Sequence, residues 1–138
     1  MRSGYERKVA AYLDKHGVEY EYEPYKFQYA TKPSTTTCAD CGSKNVQKWR
    51  WYTPDFVLAN GLIIEAKGNF KPSNRTNILG VVNTCSDINR DNFRMLFQRN
   101  NKFGRTNSRY ADWCNKNEIK FYVSENGEVP EEWIQWKS

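Results

Sequence analysis

The sequence is poor in the features that mark membrane proteins and histidine-based enzymes. It contains no apolar run that approaches the roughly 20 residues of a membrane-spanning helix. Its first residues lead directly into a helical pattern, without the apolar stretch of a signal peptide. We therefore expect a cytoplasmic protein with no membrane partner. The single histidine, His16, lies at the end of a predicted helix and is a poor candidate for a general base.

Cysteine is also scarce, and its spacing limits what it can do. Cys38 and Cys41 form one CxxC pair, but there is no second CxxC to complete a four-ligand zinc site. A structural disulfide is not expected in a cytoplasmic protein. The pair is then a zinc site shared between two copies of the chain, a site completed by Cys85, or a pair without a redox role. Cys114 falls on a helical face and is predicted to belong to the core.

Acidic residues are absent from one long stretch of a chain that otherwise carries 16 of them. Between Phe93 and Ala111 all the charges are positive, within a chain of net charge +5. Acid-free basic runs are typical of anion contacts, so we predict that this run binds a phosphate backbone. The alternative is a solvated loop. The candidate DNA-binding residues are Arg94, Arg99, Lys102, Arg105 and Arg109.

The pattern of apolar residues predicts one α/β domain over residues 1–138. Hydrophobic residues make up 38% and aromatic residues 15%, which is enough for an ordered core. We expect a mixed central sheet with helices on its faces. The predicted elements are a helix over about 4–16, strands within 18–23 and 25–29, a polar linker over 31–50 that carries the CxxC, a hairpin over 52–68, a helix from Ser73, a strand over 93–97, a helix over 108–117, a strand over 119–123 and a helix over 130–136.

The hairpin is the most informative segment, because charged residues interrupt its apolar strands. Asn60-Gly61 is a strong turn signal. A two-residue loop would place Asp55 and Glu65 on opposite faces. A three-residue loop with Gly61 in the left-handed conformation pairs Asp55 with Glu65 instead. We prefer the latter because it collects the apolar residues on one face and Asp55, Glu65 and Lys67 on the other.

Two opposed carboxylates repel each other unless a cation lies between them, and their oxygen atoms suit Mg²⁺ or Mn²⁺. Lys67, two residues after Glu65, adds a positive charge beside a phosphate or a water molecule. The spacing Pro54-Asp55, nine residues, Glu65-Ala66-Lys67 matches the PD-(D/E)xK motif of metal-dependent nucleases. The alternative is a surface hairpin with one salt-bridged acid.

Several segments in the same order resemble phage endonuclease I, the family of Holliday-junction-resolving nucleases of short-tailed phages. They are Arg2-Ser3-Gly4-Tyr5-Glu6, Glu21-Tyr22-Glu23, Tyr52-Thr53-Pro54-Asp55-Phe56, Asn60-Gly61, Glu65-Ala66-Lys67-Gly68 and Pro130-Glu131-Glu132-Trp133-Ile134. The resemblance covers nearly the whole chain. It implies a restriction-endonuclease-like fold, an exchanged (domain-swapped) homodimer, Mg²⁺-dependent cleavage of branched DNA, and the host cytoplasm as location.

The resemblance also assigns the site residues. It makes Glu6 a fourth active-site residue beside Asp55, Glu65 and Lys67, whereas periodicity alone favours Glu6 as a reciprocal cap of Ser3. In an exchanged dimer Glu6 is expected to serve the partner's Asp55 and Glu65. The expected ligands of the first metal are Asp55, Glu65 and the Ala66 carbonyl, with Glu6 at a second metal. Lys67 is expected to orient or deprotonate the attacking water.

The sequence departs from the family in its CxxC insertion, which falls where the bridge between the two subunits is expected. Two antiparallel bridges would bring Cys38 and Cys41 of both copies together as a structural Zn²⁺ clasp. The family's basic terminal extensions have no counterpart here, so we expect an effect on junction affinity rather than on the chemistry. Two alternatives to a junction-cleaving nuclease are a mismatch- or site-specific nuclease of the same fold and a non-catalytic zinc-bearing DNA-binding module.

Overall fold

The protein is described by a computed structural model covering residues 3–30 and 49–138. Its helices and strands follow the predicted order along the chain, with an additional strand over 49–52 that begins inside the predicted linker. They are α1 (Gly4–Lys15), β1 (Tyr20–Tyr22), β2 (Phe27–Ala30), β3 (Trp49–Tyr52), β4 (Phe56–Leu58), β5 (Ile63–Lys67), α2 (Pro72–Thr84), β6 (Phe93–Phe97), α3 (Tyr110–Lys116), β7 (Phe121–Val123) and α4 (Glu131–Ile134). None of the helices within these ranges combines the length and apolar character needed to cross a bilayer.

Five strands form a mixed central sheet in the order β1-β4-β5-β6-β7. The first three are antiparallel neighbours, whereas β5, β6 and β7 run parallel. β2 and β3 form a separate antiparallel ribbon. The mixed α/β class is therefore confirmed, and the parallel half has the crossover helices that parallel neighbours require.

Two apolar clusters cover the two faces of the sheet. One unites the ribbon, α2 and α3 with inward residues of β5 and β6, including Met95 and Cys114. The other unites α1 and α4 with the apolar face of the hairpin, including Phe56 and Ile64. Cys114 is fully buried, as predicted. Helices on both sides explain why β6 is buried along its whole length.

Several boundaries differ from the prediction for local reasons. α2 begins at Pro72 rather than after Ser73, because the Asn74 side chain accepts from the Lys71 backbone and Pro72 suits a first helical position. α3 begins at Tyr110. Ile119 precedes β7 instead of starting it, because its backbone N–H donates to Cys114 at the end of α3.

The terminal helix ends early because the hairpin loop holds its end. The Asn60 amide nitrogen donates to the carbonyls of Trp133, Ile134 and Trp136 at 3.1, 3.1 and 3.0 Å. Trp133 and Ile134 belong to the last turn of α4 and Trp136 follows it, in the region where helix carbonyls lack their usual partners four residues further on. Asn60 therefore forms the turn and also fixes the C-terminal segment against the hairpin.

Gly127 lies where the chain after β7 crosses the backbone of α1. Its φ is +80°, and a Cβ atom there would lie 2.5 Å from the Val9 nitrogen. We expect Gly127→Ala to lower the free energy of unfolding by about 2–4 kcal/mol, from the left-handed backbone and from overpacking. Denaturant unfolding measures this loss.

Gly17→Ala is the matched control, because Gly17 has a φ of +66° but no described atom within 4 Å of its Cβ position. In the control, the free energy of unfolding should fall only by the cost of the left-handed backbone, about 1–2 kcal/mol. Equal losses in the two variants would show that the close approach to α1 contributes nothing.

Candidate active site

The turn between β4 and β5 is the three-residue loop predicted from the sequence. Phe56 pairs with Ile64 and Val57 with Ile63. Leu58 N–H donates to the Leu62 carbonyl at 2.9 Å, and Gly61 has a φ of +91°. This register places Asp55 opposite Glu65. The prediction that the two acids are opposed is confirmed.

The acids of the hairpin face a cleft of about 340 Å³. Asp55, Glu65 and Lys67 all contribute to its lining, which confirms that the three charges share one face. The cleft lies between the hairpin, the β2–β3 ribbon and α2. Its remaining lining residues are Glu6, Glu23, Tyr29, Trp51, Tyr52, Thr53, Asn74, Asn77 and Ile78.

Asp55 is buried at the centre of this acidic group. Its Oδ2 atom accepts a hydrogen bond from the Ala66 backbone N–H at 2.9 Å, which ties it to the neighbouring strand. Burial, followed by the charges of Glu65 and Glu6, raises the pKa of Asp55 to about 9. A carboxylate in this setting is costly as an anion, and a bound cation would relieve that cost.

Glu65 is buried as well, but it has two partners. Tyr52 donates its hydroxyl to Oε1 at 2.7 Å, and the Lys67 ammonium lies 3.4 Å from Oε2. Burial raises the pKa of Glu65, while Lys67 and the Tyr52 hydroxyl oppose the rise. Tyr52 remains a hydrogen-bond donor, because burial and the nearby acids raise its own pKa well above 10.

Glu6 reaches the cleft from α1. The Ser3 hydroxyl caps the helix by accepting from Glu6 N–H at 3.1 Å. The Glu6 carboxylate turns toward the cleft and accepts a hydrogen bond from the Tyr22 hydroxyl, so the reciprocal half of a capping box does not describe it. Glu6 lies beside Asp55 of its own chain, so this single chain brings both residues together without a partner.

Glu23 is the acidic residue that the sequence reasoning missed. One oxygen each from Glu6, Glu23 and Asp55 lie within 4.8 Å of one another. Strict alternation would place Glu23 on the same face as the exposed Glu21. Instead, Glu23 has a φ of 46°, and its N–H donates to the Asp55 carbonyl at 3.0 Å. Pro24, directly after it, indicates that regular strand pairing ends here, because proline has no N–H to donate to a neighbouring strand.

The donor set suits a hard divalent cation. Three carboxylate oxygens close enough to share one ion match the ligands that Mg²⁺ and Mn²⁺ take in proteins. The raised pKa of Asp55 is consistent with this, because burial and then the charges of Glu65 and Glu6 make its anion costly without a cation. Glu65 lies in the same cleft but outside this group of three. Its role as a ligand and that of the Ala66 carbonyl stay predictions.

The basic run divides into one buried and four exposed residues. Arg94 is only 4% exposed, and its guanidinium donates to the carbonyls of Asp91 and Phe93 at 2.7 and 3.0 Å. Arg94 therefore does not present its charge at the surface, and we remove it from the candidate DNA contacts. Register explains this, since Arg94 pairs with Ile64 on the sheet face that α1 and α4 cover. The exposed members are Arg99, Lys102, Arg105 and Arg109.

The loop that carries these four residues is held by its one aromatic side chain. Phe103 packs against the rings of Phe70 and Tyr110. The Arg75 guanidinium of α2 lies 4.1 Å from the centre of the Phe103 ring. This cation–π contact connects the basic loop to the helix that supplies Asn74 and Asn77 to the cleft.

The predicted zinc ligands Cys38 and Cys41 lie outside the described residues, as does most of the predicted linker over 31–50. Trp49 and Arg50, its last two residues, begin β3. Within the described residues, Cys85 and Cys114 are free thiols.

Comparison with known proteins agrees with the geometry of the site. A sequence model of the family described as phage endonuclease I matches residues 1–138. The chain is 30% identical over 137 residues to Endonuclease I of Escherichia phage T7, covering 98% of this chain and 78% of that protein. It is 29% identical over 123 residues to Endodeoxyribonuclease 1 of Enterobacteria phage T3, covering 88% of this chain and 70% of that protein. A chain with the acid-acid-lysine hairpin and this match along its whole length belongs to the phage endonuclease I family.

Proposed function

We propose that this chain is a divalent-metal-dependent endonuclease that hydrolyses phosphodiester bonds in branched DNA, including four-way junctions. The observation that carries the proposal is the gathering of Glu6, Glu23 and Asp55 within 4.8 Å, beside Glu65 and Lys67 in one cleft. A pure DNA-binding module would gain nothing from carboxylates that face phosphate. The acidic cleft therefore favours catalysis over simple binding.

The carboxylates would hold Mg²⁺ or Mn²⁺, with Asp55 at the centre and Glu6, Glu23 and Glu65 around it. A bound divalent ion would supply a Lewis acid for the phosphoryl oxygens and a more acidic water. Asp55 is fixed for this task by the Ala66 N–H, and Glu65 by the Tyr52 hydroxyl. Lys67 lies at the mouth of the cleft, 25% exposed, where its ammonium would face the phosphate and orient the attacking water.

The exposed basic residues Arg99, Lys102, Arg105 and Arg109 would contact the DNA backbone. Such contacts position DNA without reading its sequence. They suit an enzyme that recognises the shape of its substrate. A mismatch- or site-specific nuclease of the same fold would share the chemistry but differ in what it selects.

The experiment that tests the function compares Mg²⁺-dependent cleavage of a synthetic four-way junction with cleavage of linear duplexes of the same sequence. We expect cleavage near the branch, faster than any duplex cleavage, and none with Glu65→Gln. Preferred cleavage of a mismatched or sequence-specific duplex would favour the alternative nuclease. DNA binding without Mg²⁺-dependent cleavage would contradict the proposal.

We further propose that the active enzyme is a homodimer whose subunits exchange α1, β1 and β2. A two-fold dimer presents two active sites to the two continuous strands of a four-way junction. The same site geometry results whether residues 3–30 come from the same chain as the hairpin or from its partner. A zinc clasp formed by Cys38 and Cys41 of both copies would join the two subunits.

Mixing two inactive variants tests the exchange. In a mixed dimer of Glu6→Gln and Asp55→Asn, exchange rebuilds one intact site, with Glu6 from one chain and Asp55 from the other. Without exchange, each site keeps one defect. We expect nicking activity to return after co-refolding. Continued inactivity in a confirmed mixed dimer would rule out exchange.

Metal analysis showing no zinc, with dimerisation unchanged by Cys38→Ser, would rule out the clasp.

Tyr52→Phe tests the support of Glu65. The substitution removes the 2.7 Å hydrogen bond to Oε1 but keeps the buried ring. Loss of a partner that orients a metal ligand typically costs 10–100-fold in metal affinity or activity, so we expect the Mg²⁺ concentration for half-maximal cleavage to rise by about that factor. Tyr25→Phe, at an exposed position outside the cleft, is the control. An unchanged Mg²⁺ dependence would show that Tyr52 serves only the core.

A further inference from the structure

Trp51 is the most exposed large hydrophobic residue in the part of the chain that the structure describes. Its relative exposure is 64%, compared with 59% for Trp49 on the same face of β3. A single exposed apolar residue is ordinary on a protein surface. Trp51 differs because it lines the catalytic cleft together with Asp55, Glu65 and Lys67. Trp49 does not line it.

The position of Trp51 is fixed by its neighbours. Its strand pairs with β2, with Trp51 opposite Gln28. Tyr52, the next residue, is buried and bonded to Glu65. The backbone that carries the indole is therefore one peptide unit away from a residue that holds an active-site carboxylate. Any movement of this strand would disturb the site.

Helix α2 packs against the ribbon on the face opposite to Trp51. A Cβ atom at Gly80 would lie 2.9 Å from the Ala30 carbonyl oxygen and equally close to the Tyr29 ring, so the glycine permits a close helix–ribbon contact. The ribbon therefore packs against both α2, through Tyr29, and the hairpin, through Tyr52, on the face opposite to Trp51. The packing of the ribbon holds the backbone of Trp51 in place, while its indole ring is exposed.

The surroundings of the indole indicate what it would bind. If a DNA strand binds with a phosphate at the carboxylates and Lys67, its neighbouring nucleosides lie within the same cleft. Lys67, which lines the same cleft, adds a positive charge, and aromatic side chains close to positive charge are typical of surfaces that bind single strands. Asn74 and Asn77 of α2 add amide groups to the lining. Together these residues match a nucleotide whose base is out of the helical stack.

We propose that Trp51 is a stacking platform for an unstacked base next to the scissile phosphate. This inference rests on the proposed function and adds the feature of the substrate that the site reads. In an intact duplex each base is held between its neighbours and offers no free face. At a branch point, a flap or a loop a base is free to stack on the indole. Trp51 is therefore a specificity-determining residue, which favours DNA with such a base.

A second copy of the chain is a less suitable occupant of this surface. A protein segment seated on Trp51 would also cover the cleft that Trp51 lines and keep substrate from the carboxylates. The positive charge of Lys67, which lines this cleft, complements phosphate.

The test compares Trp51→Ala, Trp51→Phe and Trp49→Ala in the presence of Mg²⁺. Stacking of a base on an aromatic residue contributes about 1–3 kcal/mol, so we expect Trp51→Ala to lower the ratio of junction to duplex cleavage by about 10–100-fold. Trp51→Phe should keep most of the preference, because phenylalanine retains an aromatic face. Trp49→Ala is the matched control, with similar exposure outside the cleft, and should keep the ratio unchanged. Thermal unfolding verifies that each variant is folded.

Fluorescence of 2-aminopurine gives a second readout without cleavage. With the probe beside the branch and EDTA present, the wild-type protein should quench the probe by stacking, and Trp51→Ala should not. Unchanged ratio and unchanged quenching in Trp51→Ala would overturn the proposal. Conversion of dimers to monomers by both Trp51→Ala and Trp49→Ala would also overturn it and assign the surface to chain–chain contact. A wild-type protein that fails to cleave with Mg²⁺ would instead defeat the proposed function.

Discussion

Asp55→Asn is expected to reduce Mg²⁺-dependent cleavage by at least about 10²–10³-fold while leaving the protein folded. Asp55 is the one carboxylate that belongs to both acidic sets, the group with Glu6 and Glu23 and the pair with Glu65. Loss of one preorganised charged group commonly costs 10²–10³-fold, and a shared metal ligand should cost no less. Single-turnover cleavage of a junction measures the effect.

The same substitution should stabilise the metal-free protein. The pKa of Asp55 is raised to about 9 by burial and by neighbouring acids, so the folded state binds this proton more tightly than the unfolded chain. The associated stability is present below the ordinary pKa near 4 and is lost as pH rises toward 9. At pH 8 we expect Asp55→Asn to gain roughly 0.5–2 kcal/mol in free energy of unfolding.

Melting curves with and without Mg²⁺ separate the two effects. The wild type should melt at a higher temperature when Mg²⁺ is added, and Asp55→Asn should respond much less. An active Asp55→Asn enzyme would contradict the catalytic assignment. A variant that is inactive because it is unfolded would reveal itself by a lower, not higher, melting temperature.

Lys67→Ala is expected to lower cleavage by about 10²–10⁴-fold, the range typical of a group that assists proton transfer. The Lys67 ammonium, 3.4 Å from Glu65, is the cation that the hairpin itself supplies to the cleft. Its removal leaves the acids without their nearest positive charge. Junction binding in the absence of Mg²⁺ should change little, because the exposed basic loop remains.

Lys71→Ala is the control for Lys67. Lys71 is an exposed lysine four residues further along, at the start of α2, and it does not line the cleft. The Lys71→Ala substitution removes one positive charge from the same region as Lys67→Ala does. Equal losses from the two variants would mean that Lys67 acts through overall charge rather than through its place beside Glu65.

The hairpin could be predicted because short-range rules govern it. Asn60-Gly61 fixes the loop, and a sheet alternates its side chains, so the opposition of Asp55 and Glu65 follows from sequence spacing. The strand over 93–97 could be predicted for the same reason, since only Arg94 interrupts its apolar run. These features depend on residues close together in the chain.

The residues that were missed depend on contacts between distant segments. Glu23 enters the acidic group because its backbone leaves the strand conformation where it meets Asp55, and alternation gives no sign of that. Arg94 looks like a phosphate contact in the basic run, yet helix α4 covers its position. Gly80 weakens α2 as an isolated helix, but the close contact with Ala30 requires it.

The most direct test of the account is the position of a metal ion in the cleft. Crystals soaked with Mn²⁺ allow the ion to be located by its anomalous scattering. We predict a Mn²⁺ ion bound by Asp55 together with Glu6 or Glu23, in the cleft that Lys67 borders. A fully soaked crystal with no ion at Asp55, in a protein that cleaves DNA with Mn²⁺, would contradict it.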